Sequence, residues 1–393
     1  MDNGSERMRI LRFMGCPINQ FASLERFHLR QAQELNRRGH YMEVAWDGVR
    51  NPEAAEAARA FAPDVKIHFD LPDPTVPRAP GRRIAYFFKA KRLVQDGGFD
   101  IVHAYFDPSA RILNNLRPFW GKARLIRTRG TVVRSTARNA AVAFAKDWYW
   151  RFNTRNTDAI ICVSTPVLES LVERGIPREK LVVVHNVTDT EYFRRTVERP
   201  CGREWLGLTF VGRHHEVKRI PTLIEGMKIL RDQHGVRDVV LTLVGDGPLI
   251  EEHRRMVREH GLEDIVRVLG QRSDVVRILN EECDAYVTAS RLEGLPCALL
   301  EAMATELPVI VSDIPEHLEV VEDGVNGFCF RLDDPEDFAQ KVLQLRALPD
   351  RRQEIGRRNR EKIVEHFSVE SWIEKELAVY ERVMAGEFDR RRR

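Results

Sequence analysis

The sequence holds only six cysteines in 393 residues, at positions 16, 162, 201, 283, 297 and 329, and no two of them form a C-x-x-C pair. That excludes a disulfide framework and a cysteine-based zinc site, and reduced, mostly buried thiols are expected. No apolar run approaches the roughly 20 residues that a spanning helix needs, and the N-terminus lacks the apolar stretch of a secretory signal. A cytoplasmic chain is therefore expected, with at most a peripheral contact at the inner face of the membrane. An excess of charge is missing as well. The 62 Lys and Arg stand against 59 Asp and Glu, net +3, too little to favour a nucleic-acid binder.

The near-neutral total hides an asymmetry. Residues 1–200 carry 33 basic and 22 acidic side chains, net +11, and residues 201–393 carry 29 and 37, net −8. A chain of this length divides into two domains of roughly 190 residues, so the two halves face different partners or each other.

Short runs rich in Val and Ile alternate with stretches of helical period, which points to strand–helix–strand units around parallel sheets. In the first half the strands fall at Arg9–Phe13, Tyr41–Trp46, Ile101–Tyr105, Leu125–Thr128, Ala159–Val163 and Leu181–Val184. The Pro-rich, acidic stretch from Asn51 to Gly81 reads as an irregular excursion. In the second half strands at Leu208–Val211, Val239–Val244, Val266–Leu269, Ala285–Thr288 and Val309–Val311 alternate with helices, and a last helix starts at Ser368. The fold class expected is α/β: two doubly wound domains, joined near His185–Pro200. Open α/β sheets bind ligands beyond the carboxyl ends of their strands, so the residues just after strands are the candidates for chemistry.

After Leu208–Val211 come Gly212, Arg213 and, five positions on, Lys218. Two cations from one loop suit a diphosphate, Arg as a planar fork and Lys as a mobile point charge. The neighbouring His214 and His215 have no carboxylate or thiolate beside them to complete a metal site and are expected at the surface. After Val239–Val244 stands Gly245-Asp246-Gly247-Pro248, which lacks the third glycine of a dinucleotide fingerprint because Ile250 holds that place; a tight turn is the expectation. The most informative stretch runs from Ser290 to Ala304. It follows a strand and sets Gly294, Leu295 and Pro296 ahead of a helix that begins with Cys297, Ala298 and Leu299. Its two glutamates, Glu293 and Glu301, have seven residues between them. Free amides at that helix start form an anion site, and the two carboxylates stand beside it ready for sugar hydroxyls.

These pieces, with Gly324-Val325-Asn326-Gly327-Phe328 further on, resemble the C-terminal domain of the GT-B glycosyltransferases of family 4 almost continuously from Leu208 to Phe330. The resemblance implies two Rossmann-like domains facing across a cleft: residues 1–190 for the acceptor, residues 200–367 for the nucleotide sugar, and residues 368–393 as a helix crossing back to the first domain. It implies retention at the anomeric carbon, a nucleotide diphosphate sugar as donor, and no cofactor or metal. Arg213 and Lys218 resemble the family's diphosphate-binding pair, Glu293 the residue that meets the donor sugar, and Glu301 the ribose-binding glutamate. The backbone from Gly294 to Leu299 resembles its sugar and phosphate cradle, and Gln271 and Arg272 the place where the base packs. No D-x-D triplet occurs in the chain, in agreement with metal-free transfer.

The first half departs from the family pattern. The usual glycine pair is replaced by Ala22 and Ser23, with Gly15 on an earlier turn as a substitute. The histidine that many members carry after the fourth of the strands placed above is missing from Arg127-Thr128-Arg129-Gly130, and His103 lies on the strand before. Arg129 is a candidate for a phosphate contact in its place. These departures keep open a degenerate homologue that binds nucleotide sugar without turnover. Residues 78–155 hold 17 Lys and Arg against four Asp, with Phe87, Phe88, Trp120, Trp148 and Trp150 among them. Basic and aromatic together suit an anionic membrane face, where a glycan or lipid-linked acceptor would be met; pairing of these charges with the acidic second half is the other expectation.

Overall fold

The computed structural model describes residues 7–76, 80–133, 140–197 and 205–388. Cys201, Arg78, Arg134, Arg138 and the final Arg390–Arg393 run lie outside the described residues. In chain order the elements are β1 (Arg9–Phe13), α1 (Ser23–Arg37), β2 (Tyr41–Ala45), α2 (Pro52–Phe61), β3 (Ile67–His68), α3 (Pro80–Gly97), β4 (Ile101–Ala104), α4 (Asp107–Leu116), β5 (Arg124–Arg129), α5 (Ala140–Thr154), β6 (Ala159–Cys162), α6 (Thr165–Val172) and β7 (Leu181–Val183). There follow β8 (Leu206–Val211), α7 (Ile220–Asp232), β9 (Val239–Val244), α8 (Ile250–Glu259), β10 (Val266–Gly270), α9 (Val275–Glu281), β11 (Ala285–Thr288), α10 (Cys297–Ala304), β12 (Val309–Ser312), α11 (Pro315–Leu318), β13 (Phe328–Phe330), α12 (Pro335–Arg346), α13 (Pro349–His366) and α14 (Val369–Met384).

The chain forms two compact units, Met1–His185 with Trp372–Arg393, and Asn186–Ser371. Each holds one parallel sheet. The first runs β3-β2-β1-β4-β5-β6-β7 and the second β10-β9-β8-β11-β12-β13. Both are therefore doubly wound, with the first strand in the middle and a reversal of order beside it. Strands such as β9 (VVLTLV, buried at every position) carry no alternation, because helices cover both faces of a parallel sheet.

The stretch from Asn51 to Gly81 is not irregular throughout. Asn51 caps α2 by accepting from the Glu53 amide at 3.0 Å, and β3 adds an edge strand parallel to β2. The buried stripe of α2 is Ala54, Ala55 and Ala58, too small to register as apolar periodicity. β13, three residues long, is likewise too short to show a period.

α14 buries Trp372, Ile373, Val379, Tyr380 and Val383, and one charged residue with them, Glu376. Its carboxylate pairs with the fully buried guanidinium of Arg12 on β1 and accepts from Gln31 at 2.8 Å and Tyr380 at 3.0 Å. Arg12 also donates to Nδ1 of His28 at 2.6 Å and of His103 at 2.9 Å. Burial drives both histidines well below the ordinary range, so they serve as neutral acceptors. Removing one partner of such a pair strands the other charge in the core. Glu376→Ala is predicted to cost about 3–5 kcal/mol in chemical denaturation, and a loss below about 1 kcal/mol would show that the pair is dispensable.

Candidate functional site

In the second unit the reversal of strand order lies between β8 and β11. The loops that leave these strands are where the sequence places Gly212–Lys218 and Ser290–Pro296. Their backbones are tied together, the Arg291 amide donating to the Val217 carbonyl at 2.8 Å. A short 3-10 turn at Glu216–Lys218, closed by Arg219 in the left-handed region, brings Lys218 Nζ to 2.5 Å from Glu293 Oε1. Both side chains stay partly exposed, 21% and 12%. Ser312 on β12 fixes the second loop by donating to the Ser290 carbonyl at 2.7 Å, and Asn186 donates to the Leu295 carbonyl at 2.7 Å.

Behind the pair, Pro296 caps α10. The Leu299 and Leu300 amides bond back to its carbonyl, which leaves the amides of Cys297 and Ala298 ahead of the helical ladder, where the helix dipole favours an anion. Burial, and after it the carboxylates of Glu301 and Glu293, push the Cys297 thiol up to about 12, so it is no nucleophile. Burial, and after it the same two carboxylates, hold the Tyr286 hydroxyl on β11 well above its ordinary range. His317 is buried here too. Its Nδ1 meets the Ser312 carbonyl oxygen at 2.9 Å, and burial lowers it to about 4 against the pull of Glu293.

Arg213 is exposed on the β8 loop and makes no hydrogen bond or ion pair with a described residue. Gly212, Gly245 and Gly247 have a packing reason. A Cβ on Gly245, whose φ is +132°, would stand 2.0 Å from the Gly212 carbonyl oxygen, and one on Gly247 would stand 2.5 Å from that of His214. The loops after β8 and β9 touch backbone to backbone there. Gln271 and Arg272 follow β10 at the exposed edge, with Arg272 held by Asp274 at 2.8 Å. Gly294, Leu295 and Pro296 are buried under the loop they shape.

His214 is not at the surface. It is fully buried and its Nδ1 lies 2.8 Å from Nδ1 of His253 on α8, one ring donating and the other accepting. Among the described residues no three His, Cys, Asp or Glu side chains cluster as metal ligands. The thiols are less buried than expected: Cys162 and Cys283 are, whereas Cys16, Cys297 and Cys329 are partly exposed.

In the first unit the candidates are taken up by the protein itself. Gly15, φ +76°, is required because a Cβ would lie 2.6 Å from the Phe106 carbonyl oxygen. Ser23 starts α1, where Glu25 accepts from the Ala22 amide at 3.0 Å. His103 is fully buried between Arg12, Tyr380 and Thr128, away from any open face. Arg129 pairs with Asp107, bonds the Thr131 carbonyl at 2.8 Å and lies over the Trp150 ring; Gly130 follows it with open space at its Cα. Several cations of the basic stretch pair inside this unit, Arg117 and Arg124 with Asp158 and Lys89 with Asp70.

Sequence reasoning missed Asp47, although it directly follows an apolar strand. It is fully buried, one oxygen takes the Ser109 hydroxyl, and Oδ1 has no partner. It lines a hollow of about 400 Å³ with Pro17, Gly48, Arg50 and Asp73. A larger hollow of about 630 Å³ lies between β3 and α3 around Glu43, where bonds from His68, Tyr41 and Lys66 outweigh burial and hold the carboxylate at about 2. Burial, with Asp73 adding, pushes Asp47 up to about 7 from 3.8. The folded chain therefore keeps a proton that the unfolded chain releases near pH 4. Stability from this group is complete below about pH 4 and is lost as pH rises toward about 7. Asp47→Asn is predicted to gain stability over the native chain, by on the order of 2 kcal/mol, between about pH 4.5 and about pH 8; thermal melts with a pH-independent gap would refute it.

The comparisons with known proteins agree with this architecture. The model described as Glycosyltransferase Family 4 matches residues 24–192, and that described as Glycosyl transferases group 1 matches residues 206–362. An Escherichia coli UDP-Gal:alpha-D-GlcNAc-diphosphoundecaprenol alpha-1,3-galactosyltransferase is 28% identical over 74% of this chain and 77% of its own length. The lipopolysaccharide core biosynthesis glycosyltransferase LpsE of Rhizobium meliloti is 29% identical over 55% of this chain and 62% of its own. Among solved structures, Anabaena HepE in complex with UDP and glucose superposes with a TM-score of 0.77 at 15% identity, over 95% of this chain and 99% of that one.

Proposed function

Because the chain belongs to the glycosyltransferases of the GT-B fold, a family 4 domain followed by a group 1 domain, we propose that it moves a sugar from a nucleotide diphosphate donor to a lipid-linked glycan in cell-envelope polysaccharide or lipopolysaccharide synthesis, with retention of configuration. The observation that carries the proposal is the 2.5 Å bond between Lys218 and Glu293 across the strand reversal, beside the amides of Cys297 and Ala298. A diphosphate seated over those amides meets Lys218 and Arg213 as its cations, and Glu293 and Glu301 offer acceptors for sugar and ribose hydroxyls.

In the reaction, the bond between the anomeric carbon and the diphosphate oxygen breaks, and the charge gathering on the diphosphate is met by Lys218, Arg213 and the start of α10. The acceptor hydroxyl attacks from the same face, and its proton passes to the departing diphosphate. This assigns the neutralisation to the chain's own cations and amides without a metal, a division that accords with the lack of a D-x-D triplet. A donor such as the UDP-galactose named for the Escherichia coli relative, and a diphosphoundecaprenol-linked acceptor, are the first pair to try. An acceptor of that kind calls for a peripheral contact with an anionic membrane.

UDP, GDP and ADP screened by melting shift identify the base, since a ligand at about 100 times its Kd adds about 2.7 kcal/mol of stability. With the matching sugar donor, Lys218→Ala and Glu293→Ala are each expected to lower kcat for nucleotide release about 10²- to 10³-fold while the fold persists. Stabilisation by a nucleotide sugar with no release from any donor would instead identify a binding protein without turnover.

A further inference from the structure

Large exposed apolar side chains are concentrated in one part of the first unit. On α5, Phe144, Trp148 and Phe152 are 72%, 60% and 41% exposed. Their spacing of four residues stacks them along one helix face, and the Trp148 and Phe152 rings lie parallel, 5.2 Å apart. On α3, Ile84 and Phe88 repeat the spacing and are about as exposed, 59% and 63%. α4 packs against both helices, so the three form one layer over the sheet. In the second unit Tyr192 is the one aromatic ring comparably exposed among the described residues.

Cations without a carboxylate partner stand beside several exposed rings of this layer. The Arg155 guanidinium sits 3.7 Å above the Phe152 ring, Lys91 reaches over the ring of Phe119, and Arg111 donates to the Tyr149 hydroxyl at 2.5 Å. None of the three pairs with a carboxylate among the described residues. An exposed apolar stripe with a fringe of cations on aliphatic stems has the amphipathic form of an interfacial membrane surface. The local excess of charge, 17 basic against four acidic residues over 78–155, has the sign that anionic lipid attracts.

We propose that the outer face of the α3–α4–α5 layer docks on an anionic lipid bilayer, with the rings of Phe144, Trp148 and Phe152 entering the headgroup boundary and Arg111, Arg155 and Lys91 contacting lipid phosphate. This deepens the reading of a lipid-linked acceptor, because it names the face by which the first unit meets the membrane that holds it. No helix among the described residues is long and apolar enough to cross a membrane, so the attachment is peripheral.

The test is co-sedimentation of the full chain with vesicles of phosphatidylcholine alone or mixed with phosphatidylglycerol, at about 0.1 M and about 0.5 M salt. Binding is expected only with phosphatidylglycerol, reduced but not abolished at the higher salt, since the rings contribute a part that salt does not screen. Replacing Phe144, Trp148 and Phe152 together by Ser is expected to weaken binding at least about tenfold and to remove the salt-resistant part. Arg111→Gln with Arg155→Gln is expected to reduce the preference for phosphatidylglycerol. The nucleotide melting shift should persist in both variants, which reports an intact fold and keeps this result separate from the donor-site reading. Absence of vesicle binding by the native chain, undiminished binding by the triple variant, or loss of a dimer in that variant on gel filtration would each overturn the proposal, the last in favour of a second copy of the chain.

Discussion

The reversal of strand order beside the first strand of each sheet is the constraint on which both halves depend. With right-handed crossovers, the helix after β8 and the helix after β11 go to opposite faces, and the two loops part at the carboxyl edge. In the second unit that gap holds the Lys218–Glu293 bond and one backbone tie, leaving polar side chains partly exposed beside a helix start. In the first unit the corresponding gap lies between β1 and β4, and the chain draws it shut: the Phe106 amide bonds the Met14 carbonyl at 3.2 Å, and Gly15 admits the Phe106 backbone where no side chain fits. One topology thus yields an open polar site in one unit and a closed contact in the other. The choice is made by whether the loops carry lysine and glutamate or a glycine against a backbone carbonyl.

Net charge describes neither unit's chemistry. Residues 201–393 sum to −8, yet their strand reversal collects Lys218, Arg213 and two helix-start amides. At such a site the local cations and amides, with Glu293 as the direct partner of Lys218, decide which ligand is favoured, whereas acids further off than a Debye length of about 8–10 Å are screened by salt. In the first half the positive excess is partly spent internally. Arg117 and Arg124 share Asp158, and Arg127 and Arg129 share Asp107, whereas Arg111, Arg155 and Lys91 beside the exposed rings pair with no carboxylate among the described residues.

The second unit was the more legible in the sequence because β8, β9, β11 and β12 are largely apolar runs, β8 and β9 with a glycine directly after them, and because the informative residues of each loop follow the strand within a few positions. What stayed hidden has a physical reason in each case. The buried face of α2 is made of alanine, and β3 and β13 are too short to show any period. The burial of His214 is hidden because its partner, His253, lies on another element 39 positions away. Glu376 was overlooked although it sits four residues from both Trp372 and Tyr380, on the face that the apolar positions define. A lone glutamate in such a stripe is a stronger signal than the stripe, since burying it unpaired would cost several kcal/mol.

That glutamate also bears on how α14 finds its place. An apolar stripe alone specifies a face more sharply than a register, because a slide of one turn, about 5.4 Å, presents nearly the same face again. Glu376 removes the ambiguity. In the observed register its carboxylate meets Arg12, Gln31 and Tyr380 together, and Arg12 in turn keeps His28 and His103 as neutral acceptors. A slide of one turn would bury the carboxylate against apolar neighbours and leave Arg12 without its counter-charge. The penalty for that adds to the mismatch of the apolar contacts, and it acts on residues from β1, α1, β4 and α14 at once. The last helix is therefore held in register by its one buried charge, while its apolar positions supply the adhesion.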